Sequence, residues 1–171
     1  MEIYTERLVL KPFSTEHFES ACEYACNIEN TRYMIYLPKS RQEVLEFLEN
    51  VEEEWQKEVP QYYEMAVFRE GSHIGSVSVY FDEWYEFGEL GWIIHRNYWG
   101  NNYAYEAAKA LVEECVKRTG VRHYIAHCDS ENHASRRIME KLGMNLVNKY
   151  GGRKNRSSDE IREECKYEIY Y

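Results

Sequence analysis

A chain of 171 residues, 44% hydrophobic and 30% charged, has the size of one domain and can remove about 70% of its unfolded surface from water. No apolar run reaches the roughly 18 residues of a bilayer span and the opening MEIYTERLVL is no signal peptide, so a single cytoplasmic domain over residues 1–171 with no membrane partner is expected. The 21 Lys and Arg against 30 Asp and Glu give a formal net charge of −9, which repels a phosphate backbone, argues against nucleic acid as a partner and favours cationic substrates.

Residues 7–13 alternate as a strand, and Ser14 and Thr15 then offer an N-cap to a helix carrying Phe18, Ala21, Cys22 and Ala25 at helical spacing. Ser40 and Glu43 form the S-x-x-E signature of a capping box before Val44, Phe47, Leu48, Val51 and Trp55 on one helical stripe; Glu52, Glu53 and Glu54 read as its solvated face. The period then becomes two over residues 63–68, 73–80 and 87–94, three strands with short turns that predict an antiparallel meander. Ala104, Ala107, Ala108, Leu111, Val112 and Cys115 give the strongest helical period in the chain, stopped by Gly120. A strand over 123–128, a helix over 132–142 and strands over 144–149 and 164–170 complete the order β-α-α-β-β-β-α-β-α-β-β, a mixed α/β sandwich of helices against one sheet. The five cysteines form no C-x-x-C pair, which suits a reduced compartment and core roles. His123 and His127 share a strand face but stand roughly 13 Å apart, too far for one ion, so no metal is expected.

Two segments carry chemistry. Tyr98, Trp99, Gly100, Asn101, Asn102, Tyr103 and Ala104 make a polar turn into a helix N-terminus, where unpaired N–H groups and the positive end of the dipole can hold an anion, or which can be a plain strand-to-helix turn. Asn132 and Ser135 begin the next helix after a strand, placed either to cap it or to reach a ligand across the strand ends.

Together these segments resemble the GCN5-related N-acetyltransferase (GNAT) family, in its branch of ribosomal-protein N-terminal acetyltransferases (the RimJ and RimL type). Thr5-Glu6-Arg7-Leu8 with Leu10-Lys11-Pro12-Phe13 resembles that branch's opening T-E-R-L-x-L-R-P. Ile74-Gly75-Ser76 is similar to its I-G strand and Glu89-Leu90-Gly91-Trp92 to its E-I-G-Y strand. The run from Tyr98 to Ala107 resembles Y-W-G-K-G-Y-A-T-E-A, and the run from Glu131 to Gly143 resembles E-N-x-x-S-x-R-x-x-E-K-x-G-F, with Met144 for the aromatic. Asn102 departs from the pattern, standing where the CoA loop has its central glycine; Asn is the non-glycine residue best able to turn left-handed.

The resemblance implies an α/β (α+β) fold: a mixed, mainly antiparallel sheet with a V-shaped splay between two central strands and helices on both faces. It implies acetyl-CoA as cosubstrate between the strand ends near Ile94 and Cys128, held by Trp92, Ile93, Ile94, Trp99, Gly100, Asn101, Asn102, Tyr103, Ala104, Asn132 and Ser135. The implied activity is acetyl transfer to a primary amine by direct attack, the amine borne by a small molecule or a protein N-terminus. The alternative is a CoA-binding or partner-binding module whose loop, with Asn102, no longer supports turnover. Glu89 is the expected base, the alternative being an ordered water, and Ser135 the expected acid for the leaving thiolate; a backbone N–H near Ile93 or Ile94 is the expected oxyanion donor. Tyr33, Tyr36, Glu83, Trp84, Tyr85 and Glu86 are expected to form the substrate wall, with carboxylates and aromatics suited to a second positive group. A monomer or homodimer fits equally.

Overall fold

The three alternating stretches pair as the expected meander, β3 (Tyr62–Arg69), β4 (Ser72–Phe81) and β5 (Phe87–Ile94). They are preceded by β1 (Ile3–Tyr4), β2 (Val9–Pro12), α1 (Phe18–Ala25) and α2 (Arg41–Trp55), and followed by α3 (Tyr103–Thr119), β6 (His123–Asp129), α4 (His133–Lys141), β7 (Asn145–Lys154) and β8 (Ile161–Tyr170). The structure is a computed structural model and describes residues 1–35 and 40–171. Among the described residues one eight-stranded sheet runs β1-β2-β3-β4-β5-β6-β8-β7, antiparallel at every junction except β5 with β6.

Strand alternation sends the two sets of side chains to different helices. Met65, Val67, Leu90 and Ile94 join the stripe of α3 together with Met139 and Leu142 at α4, while Ala66 and the partly buried Ile93 join α1 and α2 through Ala21, Cys22, Val44, Leu48 and Val51. The small residues Ala104, Ala107 and Ala108, all buried, bring the start of α3 close to the strands, and Gly120 ends the helix in a left-handed conformation. Ser40 accepts from the Glu43 N–H at 3.2 Å and Glu43 returns the bond to the Ser40 N–H at 2.9 Å, the expected capping box of α2.

Three local expectations are corrected. The opening run is a hairpin of β1 and β2, because Glu106 on α3 takes hydrogen bonds from Thr5 Oγ1 and from Arg7 N and Nε at 2.6–2.9 Å and folds the segment back. The acidic face of α2 is only partly solvated: Glu54 is buried with the Gln61 N–H and Lys57 Nζ on its carboxylate, and Glu52 accepts from Thr15. The last hairpin is longer than its pattern, since β7 is an edge strand exposed along most of its length and therefore carries no alternation.

The parallel junction positions the site. β5 and β6 pair only at Phe87 with His123, Gly88 with Tyr124 and Glu89 with Ile125; beyond Glu89 the strands part into a wedge. Gly75 on β4 holds the far edge of β5 close, since a Cβ there would strike the Ile93 carbonyl oxygen and sit 2.8 Å from Ile94 Cα.

Candidate active site

A cavity of about 500 Å³ lies at the open end of the wedge, within the size range of ligand pockets. Three elements wall it: the turn into α3 with Trp99, Gly100, Asn101, Asn102, Tyr103 and Ala104; the end of β5 with Trp92, Ile93 and Ile94; and the start of α4 with Asn132 and Ser135. The structure thus brings together all the residues expected to hold the cosubstrate. Asn102 adopts φ 61°, ψ 18°, the left-handed conformation its loop position demands, and its side chain does not cap α3. Its Oδ1 instead accepts from Lys141 Nζ at 2.9 Å, so among the described residues no side chain accepts from the first-turn N–H groups of α3 at the cap, and an ammonium stands at that corner. Donors and a positive charge at that helix start would suit an anion.

Arg137 lies one turn before Lys141 on α4 and also lines the cavity. Neither residue has a carboxylate partner among the described residues, nor does Arg32 in the α1–α2 segment, whereas the nearby Glu29 is paired with Arg96. The cavity is therefore locally basic in a protein of net charge −9.

Polar groups in the wall divide between bracing and free. Asn101 Nδ2 ties the turn to the Tyr98 and Trp99 carbonyls at 3.1 and 3.0 Å, and Trp99 Nε1 donates to the Ile94 carbonyl at 2.7 Å. The same carbonyl accepts from Asn30 Nδ2 at 2.8 Å, which fastens the α1–α2 segment across the end of β5. The Ile94 carbonyl thus points to the parted side while that of Ile93 faces Gly75, and strand alternation puts the Ile94 N–H, not that of Ile93, on the wedge side. Asn132 Oδ1 caps α4 by accepting from the Ser135 N–H at 3.2 Å, and the half-buried Ser135 hydroxyl has no partner among the described residues. Asp129, at the end of β6, anchors this corner. Burial alone would raise its pKa, yet the Arg162 guanidinium, the Glu131 N–H and Asn155 Nδ2 hold it below the usual carboxylate range.

Glu89 is the last residue of β5 paired with β6, and its Oε1 lies 2.8 Å from Nδ1 of His127, across the closed end of the wedge. The expected substrate wall is not assembled as one surface. Tyr33 lines the cavity with the Arg32 guanidinium 5.1 Å from its ring centre, and its carbonyl holds Arg153 at 2.7 Å. Tyr36 lies outside the described residues. Glu83, Trp84, Tyr85 and Glu86 occupy the β4–β5 turn, at the opposite end of β5 from Ile94, seven residues or about 23 Å of strand away. There Tyr85 stacks on Phe81 at 4.8 Å and donates to the Pro60 carbonyl, Glu86 donates its N–H to Asp82, and Trp84 is exposed. They do not reach the cavity.

Asn30, Arg137 and Lys141 line the cavity although the sequence did not single them out. Only the i, i+4 spacing of Arg137 and Lys141 carried a signal of a shared face.

A family model of the acetyltransferase (GNAT) domain matches residues 7–145. The uncharacterized N-acetyltransferase YnaD of Bacillus subtilis is 28% identical over 147 residues, covering 84% of this chain and 82% of that protein. The uncharacterized N-acetyltransferase p20 of Bacillus licheniformis is 24% identical over 145 residues, covering 82% and 80%. Among solved structures, a GNAT-family acetyltransferase from Bacillus anthracis superposes with a TM-score of 0.83 at 24% identity over 99% of this chain and 98% of that one. RimL, a ribosomal L7/L12 alpha-N-protein acetyltransferase in complex with coenzyme A, superposes at 0.88 with 13% identity over 99% and 98%. These likenesses show a shared fold.

Proposed function

The chain belongs to the GNAT acetyltransferase family, and from that premise we propose that it transfers the acetyl group of acetyl-CoA to a primary amine by direct attack with both substrates bound. One observation carries this reading: a single cavity joins the N-terminus of α3, the parted edge of β5 and the free hydroxyl of Ser135. The residues suit the cosubstrate. The first turn of α3 with Lys141 and Arg137 would hold its phosphates, and the edge of β5 at Trp92 and Ile94 would pair with its amide-bearing arm. The Ile94 N–H would then donate to the oxyanion that forms when the amine attacks. Ser135 would give its proton to the departing sulfur and recover one from the attacking nitrogen, so the hydroxyl ends unchanged. The likeness to an L7/L12 alpha-N-protein acetyltransferase supports a protein α-amine among the acceptors, beside small amines.

The alternative, a CoA-binding module, rests on Asn102; its left-handed conformation supports a loop that still admits the cosubstrate. The test is a calorimetric titration with acetyl-CoA, followed by an acceptor screen of peptide N-termini, polyamines, aminoglycosides and amino acids read by thiol release. Binding in the micromolar range with turnover on at least one class is expected. No binding at millimolar acetyl-CoA would sink the reading, and binding without turnover on any class would favour the module.

A further inference from the structure

Glu89 and His127 meet where β5 and β6 part. Both side chains are on the α1–α2 side of the sheet, because Leu90 on β5 and Tyr124, Ala126 and Cys128 on β6 face α3. His127 is two residues beyond the last parallel pair, level with Gly91 on β5. Gly91 and Ile93 share this face of β5, the Ser78 hydroxyl lies where a Cβ of Gly91 would be, Ile93 lines the cavity, and the His127 side chain keeps 21% of its surface exposed.

The bond between them fixes the chemistry of the ring. An ionised carboxylate only accepts, so the imidazole nitrogen 2.8 Å from Glu89 carries the hydrogen. In the neutral ring the lone pair is then on Nε2, which has no hydrogen-bond partner among the described residues. This is the division of labour of a carboxylate–imidazole pair in which the acid orients and the ring accepts the proton. Imidazole as a class also titrates closer to neutrality than a carboxylate, and so is the better proton acceptor for an ammonium.

We propose that His127, through Nε2, is the general base that takes the proton from the acceptor's ammonium, and that Glu89 is its positioning residue rather than the base. The proposal rests on the acetyl-transfer reading and deepens it. The ammonium gives one proton to Nε2, directly or through one water, and the freed lone pair forms the C–N bond to the thioester carbonyl carbon. The C–S bond breaks, the nitrogen's surplus proton passes through Ser135 to sulfur, and the imidazolium returns its proton to solvent.

The full-length chain is tested as three variants, with the acceptor found active in the screen. Under this assignment His127→Asn, whose amide can still donate to Glu89 but has no basic nitrogen, lowers kcat by about 10²–10⁴-fold with KM for acetyl-CoA within about twofold of wild type. Glu89→Gln still accepts the Nδ1 hydrogen and loses about tenfold or less. Free imidazole restores part of the rate of His127→Gly in a concentration-dependent way, which a purely structural histidine would not allow. The reverse pattern, with Glu89→Gln collapsing and His127→Asn close to wild type, overturns the assignment, as does equal activity in both. Acetyl-CoA affinity, measured on every variant, separates a folding defect from a chemical one. Wild-type turnover that survives His127→Asn defeats this proposal alone, whereas absent wild-type binding defeats the acetyl-transfer reading and this proposal with it.

Discussion

Lowering the pH from 8 to 5 should destabilise this protein through one histidine on the α1 side of the sheet. His73 on β4 lies against the rings of Phe13, His17, Tyr24 and Phe68 at centroid distances of 5.3–5.7 Å. Its Nε2 donates to the Gly75 carbonyl at 2.9 Å and its Nδ1 lies 2.7 Å from Ser20 Oγ. Burial, with a smaller contribution from His17, pushes its pKa down to about 4, against the Gly75 bond. The folded state therefore keeps the ring neutral while the unfolded chain protonates it near the ordinary 6.5. Stability from this group is complete above pH 6.5, falls as the pH drops below 6.5, and reaches its full loss near 4. At pH 5 the difference amounts to about 2 kcal/mol at 1.36 kcal/mol per unit, or roughly 4–8 °C in Tm for a chain of this size. His17, also lowered by burial, acts in the same direction. Urea unfolding at pH 8, 6.5 and 5 would measure the loss in wild type and in His73→Gln, whose amide can replace the donation to Gly75. The variant should lose about 2 kcal/mol less than wild type between pH 8 and 5. Parallel losses would refute the account, because the carboxylates common to both proteins would then explain the whole pH dependence.

Three further outcomes follow from the site. Lys141→Met should raise the Kd for acetyl-CoA about tenfold at low salt, with a smaller effect at high salt as screening grows; an unchanged Kd by calorimetry would show that Lys141 serves only Asn102. Ser135→Ala should lower kcat by about tenfold or more at unchanged acetyl-CoA affinity, since its proton is needed only along the reaction path, and equal turnover would remove the acid role. Gly75→Ala should cost about 3 kcal/mol in urea unfolding by forcing β4 and β5 apart, and a loss below about 0.5 kcal/mol would mean the strands shift freely.

The parts of the fold legible in the sequence were those whose physics is local. The α3 stripe, the Ser40–Glu43 box and the meander each follow from a repeat within a dozen residues. The left-handed Asn102 was legible for the same reason, since residue type alone restricts that conformation. The cavity wall was legible through the family resemblance, which supplies the tertiary placement that periodicity lacks. Glu89 with His127 was not: their contact depends on the parallel register of strands separated by the whole of α3. Lys141 on Asn102 depends in turn on how α4 packs against α3, and Asn30 comes from a segment with no period at all.

Charge gives the sharpest contrast between a sum and a field. A net charge of −9 with Glu83 and Glu86 in the expected wall favoured an acceptor carrying a second cation, but only charges within about 8 Å act strongly at physiological salt. The β4–β5 turn is about 17 Å of strand from Trp92 at the near edge of the cavity, about two such lengths. Arg137 and Lys141 would be taken up by the cosubstrate's phosphates, which leaves Arg32, against Tyr33 and without a carboxylate partner among the described residues, as the charge at the acceptor's end. A peptide α-amine followed by an acidic residue should therefore be used better than spermidine, by a few-fold in kcat/KM at about 0.05 M salt and by less at about 0.5 M. Arg32→Gln should remove the preference and leave acetyl-CoA affinity unchanged. A preference for spermidine at low salt would refute the local-field argument and restore the weight of the net charge.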